Sequence, residues 1–219
     1  TKFKGGKHYM KKKTLTIAIA LVLVVALAVG ATYAYLTAKT EAVTNTFTVG
    51  TVIENGKFVL KEHKVEYKQA DGTYDYTMKD GAKEETESNT YSQLAPKMVV
   101  PKDPFISFRA EVKNPAYVFV EICNTTNGQI KYAVNSDWML LDGVEGEHGG
   151  AVYAYKNTVV GSAIADLPIL GGNTITVADT ATTANLSGKT LTFYGYLCQA
   201  TGFNTAADAF TNCFGTTGK

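Results

Sequence analysis

One stretch decides the fold class that this sequence predicts: Tyr117-Val118-Phe119-Val120-Glu121-Ile122. Val118, Val120 and Ile122 alternate with the other three residues, so they would lie on one face of an extended strand. Residues 105–112 have the same β-rich character. Residues 105–112 and 117–123 are therefore the best candidates for core strands.

Short β-rich segments continue on both sides of this stretch, separated by Gly, Asn, Asp and Pro. Asp71-Gly72 would join residues 65–68 to residues 74–78 as a hairpin, because Asp-Gly suits a tight turn with positive φ. Residues 80–91 are polar and predict a solvated loop. The other predicted strands are residues 44–52, 58–60, 130–134, 138–141, 152–155, 174–177 and 191–199.

A single helix is predicted, at residues 206–214, with Thr205 as its N-cap and Asp208 in its first turn. Strands at this spacing, without interleaved amphipathic helices, indicate an all-β fold: an antiparallel jelly-roll-like sandwich with a short C-terminal helix. Trp138 is expected in the core of this sandwich. One domain, residues 35–219, is the economical interpretation.

The N-terminal region has the layout of a secretory signal peptide. Residues 10–13 are Met-Lys-Lys-Lys, and residues 15–30 are almost entirely Ala, Val, Leu and Ile. A basic start, an apolar stretch and then small residues are typical of such peptides. We therefore expect a helical signal peptide at residues 10–34, with residues 1–9 as upstream, non-native sequence.

Cleavage is expected between Ala34 and Tyr35, and cleavage after Ala31 is the second plausible site. Retention as a membrane anchor is the competing interpretation, because about 20 apolar residues span a bilayer. With either outcome, the rest of the chain would lie outside the membrane and the polypeptide would be exported.

Composition excludes two classes of protein. Hydrophobic residues make up 45% of the chain and charged residues 19%, which excludes a wholly disordered chain. Residues 1–34 hold six lysines and no acid, so residues 35–219 carry 15 basic against 20 acidic residues. A nucleic-acid-binding protein would normally show a basic face, so no nucleic-acid partner is expected.

Several stretches resemble one family in their order and spacing. They are residues 32–37 (TYAYLT), 45–50 (NTFTVG), 101–104 (PKDP), 116–120 (AYVFV) and 194–203 (YGYLCQATGF). On these residues the chain resembles the TasA/camelysin-like family of exported Gram-positive surface and biofilm-matrix proteins, which a SipW-type signal peptidase processes. The resemblance covers nearly the whole chain.

The resemblance implies a jelly-roll subunit that polymerises head-to-tail, with an N-terminal strand of one subunit completing the sheet of its neighbour. Such a strand would satisfy the unpaired N–H and C=O groups of an open sheet edge. The alternative is that this segment is the first strand of its own sheet. The donor strand would lie within residues 35–50, with donor residues Val43, Asn45, Phe47 and Val49.

Three cysteines in an exported chain imply one disulfide and a free thiol, or an intermolecular bond. A bond between Cys198 and Cys213 would attach the C-terminal helix to the sheet and contribute roughly 3 kcal/mol through loop entropy. A bond between Cys123 and Cys198, or three reduced thiols, are the alternatives, since connectivity is not readable from sequence.

No motif points to catalysis. Camelysin-like relatives have been described as metallopeptidases, but the His-Glu-x-x-His signature of a zinc peptidase is absent, as are Gly-x-Ser-x-Gly and a Gly-rich phosphate loop. His63 and His148 lie far apart in the sequence. Glu145, Glu147 and His148 could hold a divalent cation in a Gly-rich turn, although a solvated loop tip explains them as well. No enzymatic activity, cofactor or metal is expected.

The sequence thus predicts a secreted structural subunit of biofilm-matrix or surface fibres of a Gram-positive bacterium. Its expected partners are further copies of the chain, the signal peptidase and other matrix proteins. The alternatives are a monomeric surface adhesin or binding module, and a secreted metallopeptidase.

Overall fold

The structure, a computed structural model, describes Leu23, residues 52–70 and residues 73–215. Some of the predicted features lie outside the described residues. They are the signal peptide apart from Leu23, the cleavage site Ala34–Tyr35, the turn at Asp71-Gly72, and the donor residues Val43, Asn45, Phe47 and Val49.

Residues 52–215 form antiparallel strands with few helices, which confirms the all-β fold class. The strands are β1 (Phe58–His63), β2 (Val65–Ala70), β3 (Thr73–Met78), β4 (Glu85–Thr86), β5 (Val99–Pro101), β6 (Phe105–Phe108), β7 (Val112–Asn124), β8 (Ile130–Lys131), β9 (Trp138–Glu145), β10 (Ala151–Tyr155), β11 (Val159–Gly161), β12 (Leu167–Pro168), β13 (Thr174–Val177) and β14 (Leu191–Gln199). The helices are α1 (Thr183–Leu186) and α2 (Ala206–Phe214), and short 3-10 turns lie at Lys79–Gly81 and Gly171–Asn173.

Strand β7 organises the largest sheet. Residues 116–124 of β7 pair with residues 199–191 of β14 along one edge, and the other edge of β7 pairs with β10 and β11. Strand β9 continues this sheet beyond β10. A second sheet has the order β12-β6-β1-β4 and a third has the order β5-β13-β8. Among the described strands, β2 pairs with β3 alone.

Both faces of β7 are buried, against different parts of the chain. Val118, Val120 and Ile122 pack into the larger core with residues of the second and third sheets. Phe119 packs on the opposite face against Phe210 of α2, with ring centroids 5.2 Å apart. The predicted alternation of β7 is therefore confirmed, and α2 covers the face that a half-buried strand would expose to water.

The prediction of α2 is confirmed at both ends, whereas α1 is a second helix that the sequence did not predict. Thr205 caps α2, since its side chain accepts a hydrogen bond of 3.0 Å from the backbone N–H of Asp208. Burial of a side chain such as Phe210 contributes roughly 1.5–3 kcal/mol. Among the described residues, no helix combines the length and the apolar character that crossing a bilayer requires.

Some strand predictions need correction. Residues 105–112 form two elements, because β6 ends at Phe108 and β7 begins at Val112. Strand β7 contains Pro115, whose carbonyl accepts a hydrogen bond of 2.8 Å from the backbone N–H of Ala200, the residue after β14. The polar segment 80–91 contains β4, which pairs with β1. Trp138 is buried, as predicted.

Candidate functional site

Residues 191–193 of β14 and residues 60–62 of β1 line the same cavity. β14 pairs with β7 over its whole length, and no described residue pairs with its other edge. β1 pairs with β6 over residues 58–61, but with β4 only at Glu62 and His63. Within the described part of the chain, the edge of β1 that faces away from β6 has no strand partner over residues 58–61. Unpaired N–H and C=O groups at such edges accept additional strands.

The cavity between these edges, called here the β1–β14 groove, has a volume of about 780 Å³. Several elements contribute its apolar lining, namely Leu60, Leu94, Ile130, Ile175, Ala181, Leu186, Leu191 and Phe193. Its polar lining includes Lys61 and Glu87, whose Nζ and Oε1 atoms are 2.7 Å apart. This hydrogen bond lowers the pKa of the exposed Glu87 carboxyl. The groove thus offers both apolar and hydrogen-bonding contacts.

A buried ion pair borders the groove. Lys102 Nζ lies 2.5 Å from Glu62 Oε2, and the two side chains are only 10% and 5% exposed. The same Nζ lies 5.6 Å from the centre of the Phe193 ring, which also lines the groove. Burying either charge alone would be costly, so the two residues depend on each other.

The motif Pro101-Lys102-Asp103-Pro104 fastens this side of the groove to the end of β1. Besides the Lys102–Glu62 pair, Asp103 accepts a hydrogen bond of 3.0 Å from the backbone N–H of His63, and its other oxygen lies 2.6 Å from His63 Nδ1. The two prolines limit the backbone of the motif to extended conformations. The motif that the sequence singled out is therefore a bracket between β1 and the chain that precedes β6.

Tyr91 supports the same bracket. Its hydroxyl donates a hydrogen bond of 2.6 Å to the carbonyl of Pro101. Burial raises the pKa of Tyr91, and the nearby carboxylates of Glu62 and Asp103 raise it further. Tyr91 is therefore a neutral hydrogen-bond donor at physiological pH.

The structure joins Cys198 to Cys213, one of the pairings that the sequence left open. This disulfide attaches α2 to β14, the strand whose free edge borders the groove. Cys123 is a free, partly buried thiol.

A second cluster lies on the far face of β7, around the buried carboxylate of Glu121. Glu121 Oε1 accepts backbone hydrogen bonds from His148 (2.9 Å) and Gly150 (2.7 Å), and Oε2 accepts one from the Tyr196 hydroxyl (2.7 Å). His148 Nδ1 lies 3.1 Å from Oε2, and its ring stacks on Tyr194 with centroids 3.7 Å apart. We call these five residues the Glu121 clamp.

The clamp keeps the Glu121 carboxylate ionised. Burial on its own would raise the pKa, but the hydrogen bonds from Tyr196, Gly150 and His148 outweigh it and lower the pKa of Glu121 to about 2. Burial, together with this carboxylate, raises the pKa of Cys123 to about 11 and also raises the pKa of Tyr196. The Cys123 thiol is therefore protonated at neutral pH, unlike the thiolate that an activated nucleophile requires.

Two glycines let the β9–β10 turn close over Glu121. A Cβ atom at Gly146 would collide with the Glu121 carboxylate, and a Cβ atom at Gly150 would collide with Cys123 Sγ and with the Glu121 side chain. Glu145, the last residue of β9, and Glu147 of the turn are exposed to solvent. The sequence had grouped His148 with these two residues, whereas its partner in the structure is Glu121.

Sequence reasoning overlooked Glu121 as a site residue. A signal was available, because a carboxylate within a run of buried apolar residues almost always has a partner. The partners themselves, from a turn and from a strand of distant sequence position, follow only from the fold. No group of three or more His, Cys, Asp or Glu side chains in residues 52–70 and 73–215 is arranged to hold a metal ion.

No protein-family model, curated protein or solved structure matches this chain.

Proposed function

We propose that this protein is an exported structural subunit of extracellular biofilm-matrix or surface fibres, with a jelly-roll-like sandwich that polymerises by strand donation. One observation carries the proposal: the free edges of β14 and β1 border a groove that has an apolar lining. A strand added there would gain main-chain hydrogen bonds from the edge and would place alternate side chains in the groove.

The sequence supplies a strand of suitable length and pattern. Val43, Asn45, Phe47 and Val49 would lie on one face of an extended segment. The seven residues 43–49 would span about 23 Å, compared with about 30 Å for the nine residues of β14. Cleavage before Tyr35 would release this segment from the signal peptide. Donation from each subunit to the next is a head-to-tail contact, which builds an open filament.

The test uses secreted protein whose N-terminus, by Edman sequencing, begins at Tyr35. Electron microscopy should show filaments, and an excess of a peptide of residues 35–49 should prevent their growth by occupying the groove. Leu186→Asp places a charge in the apolar lining and should abolish filaments. Met139→Asp, at an exposed position on β9, is the matched control and should leave them unchanged.

Thermal unfolding of each variant shows whether the monomer still folds. Two results would refute the proposal. One is a protein that stays a monodisperse monomer at high concentration, and the other is filaments that still form both with excess peptide and in the Leu186→Asp variant. The monomeric outcome would favour a surface adhesin or binding module instead.

A further inference from the structure

The β2–β3 hairpin separates its side chains into an aromatic face and a charged face. In the hairpin register Tyr67 lies opposite Tyr76, and Gln69 lies opposite Tyr74. Residues opposite each other in a hairpin project from the same face. The uncharged face therefore carries Val65, Tyr67, Gln69, Tyr74, Tyr76 and Met78, whereas Glu66, Lys68 and Asp75 lie on the other.

The tyrosines of the uncharged face form a row, called here the tyrosine ladder: Tyr74, Tyr67, Tyr76 and Tyr91. Successive ring centroids are 5.6, 4.9 and 5.1 Å apart. The rings of Tyr67 and Tyr74 are nearly parallel, with an interplanar angle of 27°. The ladder therefore extends a continuous aromatic surface along the hairpin.

The inner half of the ladder is fixed and the outer half is open. Tyr76 is buried, its hydroxyl accepts a hydrogen bond of 2.9 Å from the backbone N–H of Gln93, and Tyr91 bonds to the carbonyl of Pro101. By contrast, Tyr67 is 39% exposed and Tyr74 is 57% exposed. The outer rings are thus held in position by the inner ones while their surfaces face the solvent.

The size and charge of this open surface limit what it binds. A stable protein partner needs roughly 800 Å² on each side, whereas a whole tyrosine buries only about 150–250 Å². Two partly exposed tyrosines are therefore too small for a lasting protein interface. The face also lacks the lysines and arginines that hold peripheral proteins on anionic membranes.

A neutral sugar polymer fits the surface. A hexopyranose ring has an apolar face of C–H groups, which packs against the electron-rich face of an aromatic ring. Its edge carries hydroxyl groups, which match the phenol hydroxyls and the side-chain amide of Gln69.

We propose that the exposed end of the tyrosine ladder, Tyr74 and Tyr67 with Gln69, binds a neutral polysaccharide of hexopyranose units through aromatic contact with the sugar rings and hydrogen bonds to their hydroxyl groups. This binding does not depend on filament formation, and a monomer would show it too.

Affinity electrophoresis of the secreted protein in native gels that contain hydroxyethyl cellulose tests the proposal. The wild-type protein should be retarded as the polymer concentration rises. Tyr74→Ala should weaken binding about tenfold, and Tyr67→Ala combined with Tyr74→Ala should abolish the retardation. Tyr74→Phe keeps the ring and should bind nearly as well, and Met139→Ala removes an equally exposed apolar side chain elsewhere and should bind normally.

Three results would overturn the proposal. They are no retardation of the wild type up to the solubility limit of the polymer, retardation that the double variant retains, and binding only to anionic carboxymethyl cellulose. Sedimentation without polymer gives a fourth. If the wild type sediments as a dimer and the double variant as a monomer, the ladder is a contact between copies of the chain. Gln69→Ala leaves both rings in place and should still reduce binding, so the test does not depend on the folding of the double variant.

Discussion

Glu121 and Glu62 are both buried carboxylates, and their surroundings differ in kind. Glu121 on β7 is fully buried, and both of its oxygens accept hydrogen bonds from the clamp. Glu62 on β1 is nearly as buried, but Lys102 is its one side-chain partner among the described residues. The clamp is closed by a turn and by α2, whereas the Glu62–Lys102 pair borders the groove.

The two regions stabilise their buried carboxylates in different ways. The clamp stabilises Glu121 through several hydrogen bonds, whose donors would all lose their partner if the carboxylate were removed. The groove balances one charge with one opposite charge, an arrangement that apolar residues of similar volume replace at little cost. Stability should therefore depend on the clamp more than on the ion pair of the groove.

The largest effect is expected for Glu121→Ala. The substitution leaves the Tyr196 hydroxyl and the N–H groups of His148 and Gly150 without an acceptor. We expect the free energy of unfolding, measured in urea, to fall by roughly 3–5 kcal/mol. Glu147→Ala, in the same turn but exposed, is the control and should change it by less than about 0.5 kcal/mol. A loss below about 1 kcal/mol for Glu121→Ala would show that the clamp is not a major stabilising element.

A somewhat smaller effect is expected on acidification. The pKa of Glu121 is about 2 in the folded protein, compared with the ordinary glutamate pKa of 4.5 that an unfolded chain approaches. A lowered carboxyl pKa contributes stability that is present above about pH 4.5 and is lost as the pH falls towards 2. The contribution is about 3 kcal/mol.

Urea unfolding of the wild type and of Glu121→Gln across this pH range measures that contribution. The difference between the two proteins should shrink as the pH falls from 4.5, because the glutamine does not titrate. A difference that stays constant down to pH 2 would contradict an ionised carboxylate in the clamp.

The sequence predicted the elements better than the sites. β14 and α2 have the predicted bounds because a β-rich run at residues 191–199 and an N-cap at Thr205 are local signals. The predicted hairpin is confirmed, since residues 65–68 and 74–78 lie in two strands that pair directly. Local pattern was therefore sufficient to place these elements.

The sites depend on partners that are distant in sequence. The clamp brings Glu121 to Tyr196, which lies 75 residues later, and the bracket brings Lys102 to Glu62, which lies 40 residues earlier. The motif at residues 101–104 was noticed, but its role required the position of β1. The groove follows from the order of strands in two sheets, which alternation does not determine.

The smallest effect is expected when both members of the groove pair become apolar. Lys102→Met alone leaves Glu62 buried without its partner and should cost about 3 kcal/mol, whereas Lys102→Met combined with Glu62→Leu should remain within about 1 kcal/mol of the wild type. Urea unfolding of the wild type, both single variants and the double variant forms a double-mutant cycle that isolates the pairwise interaction. The apolar pair still fills the space beside Phe193, which is why the fold tolerates it. If the double variant lost more than about 2 kcal/mol, the groove pair would resemble the clamp, and the distinction between a closed structural region and an open binding region would no longer hold.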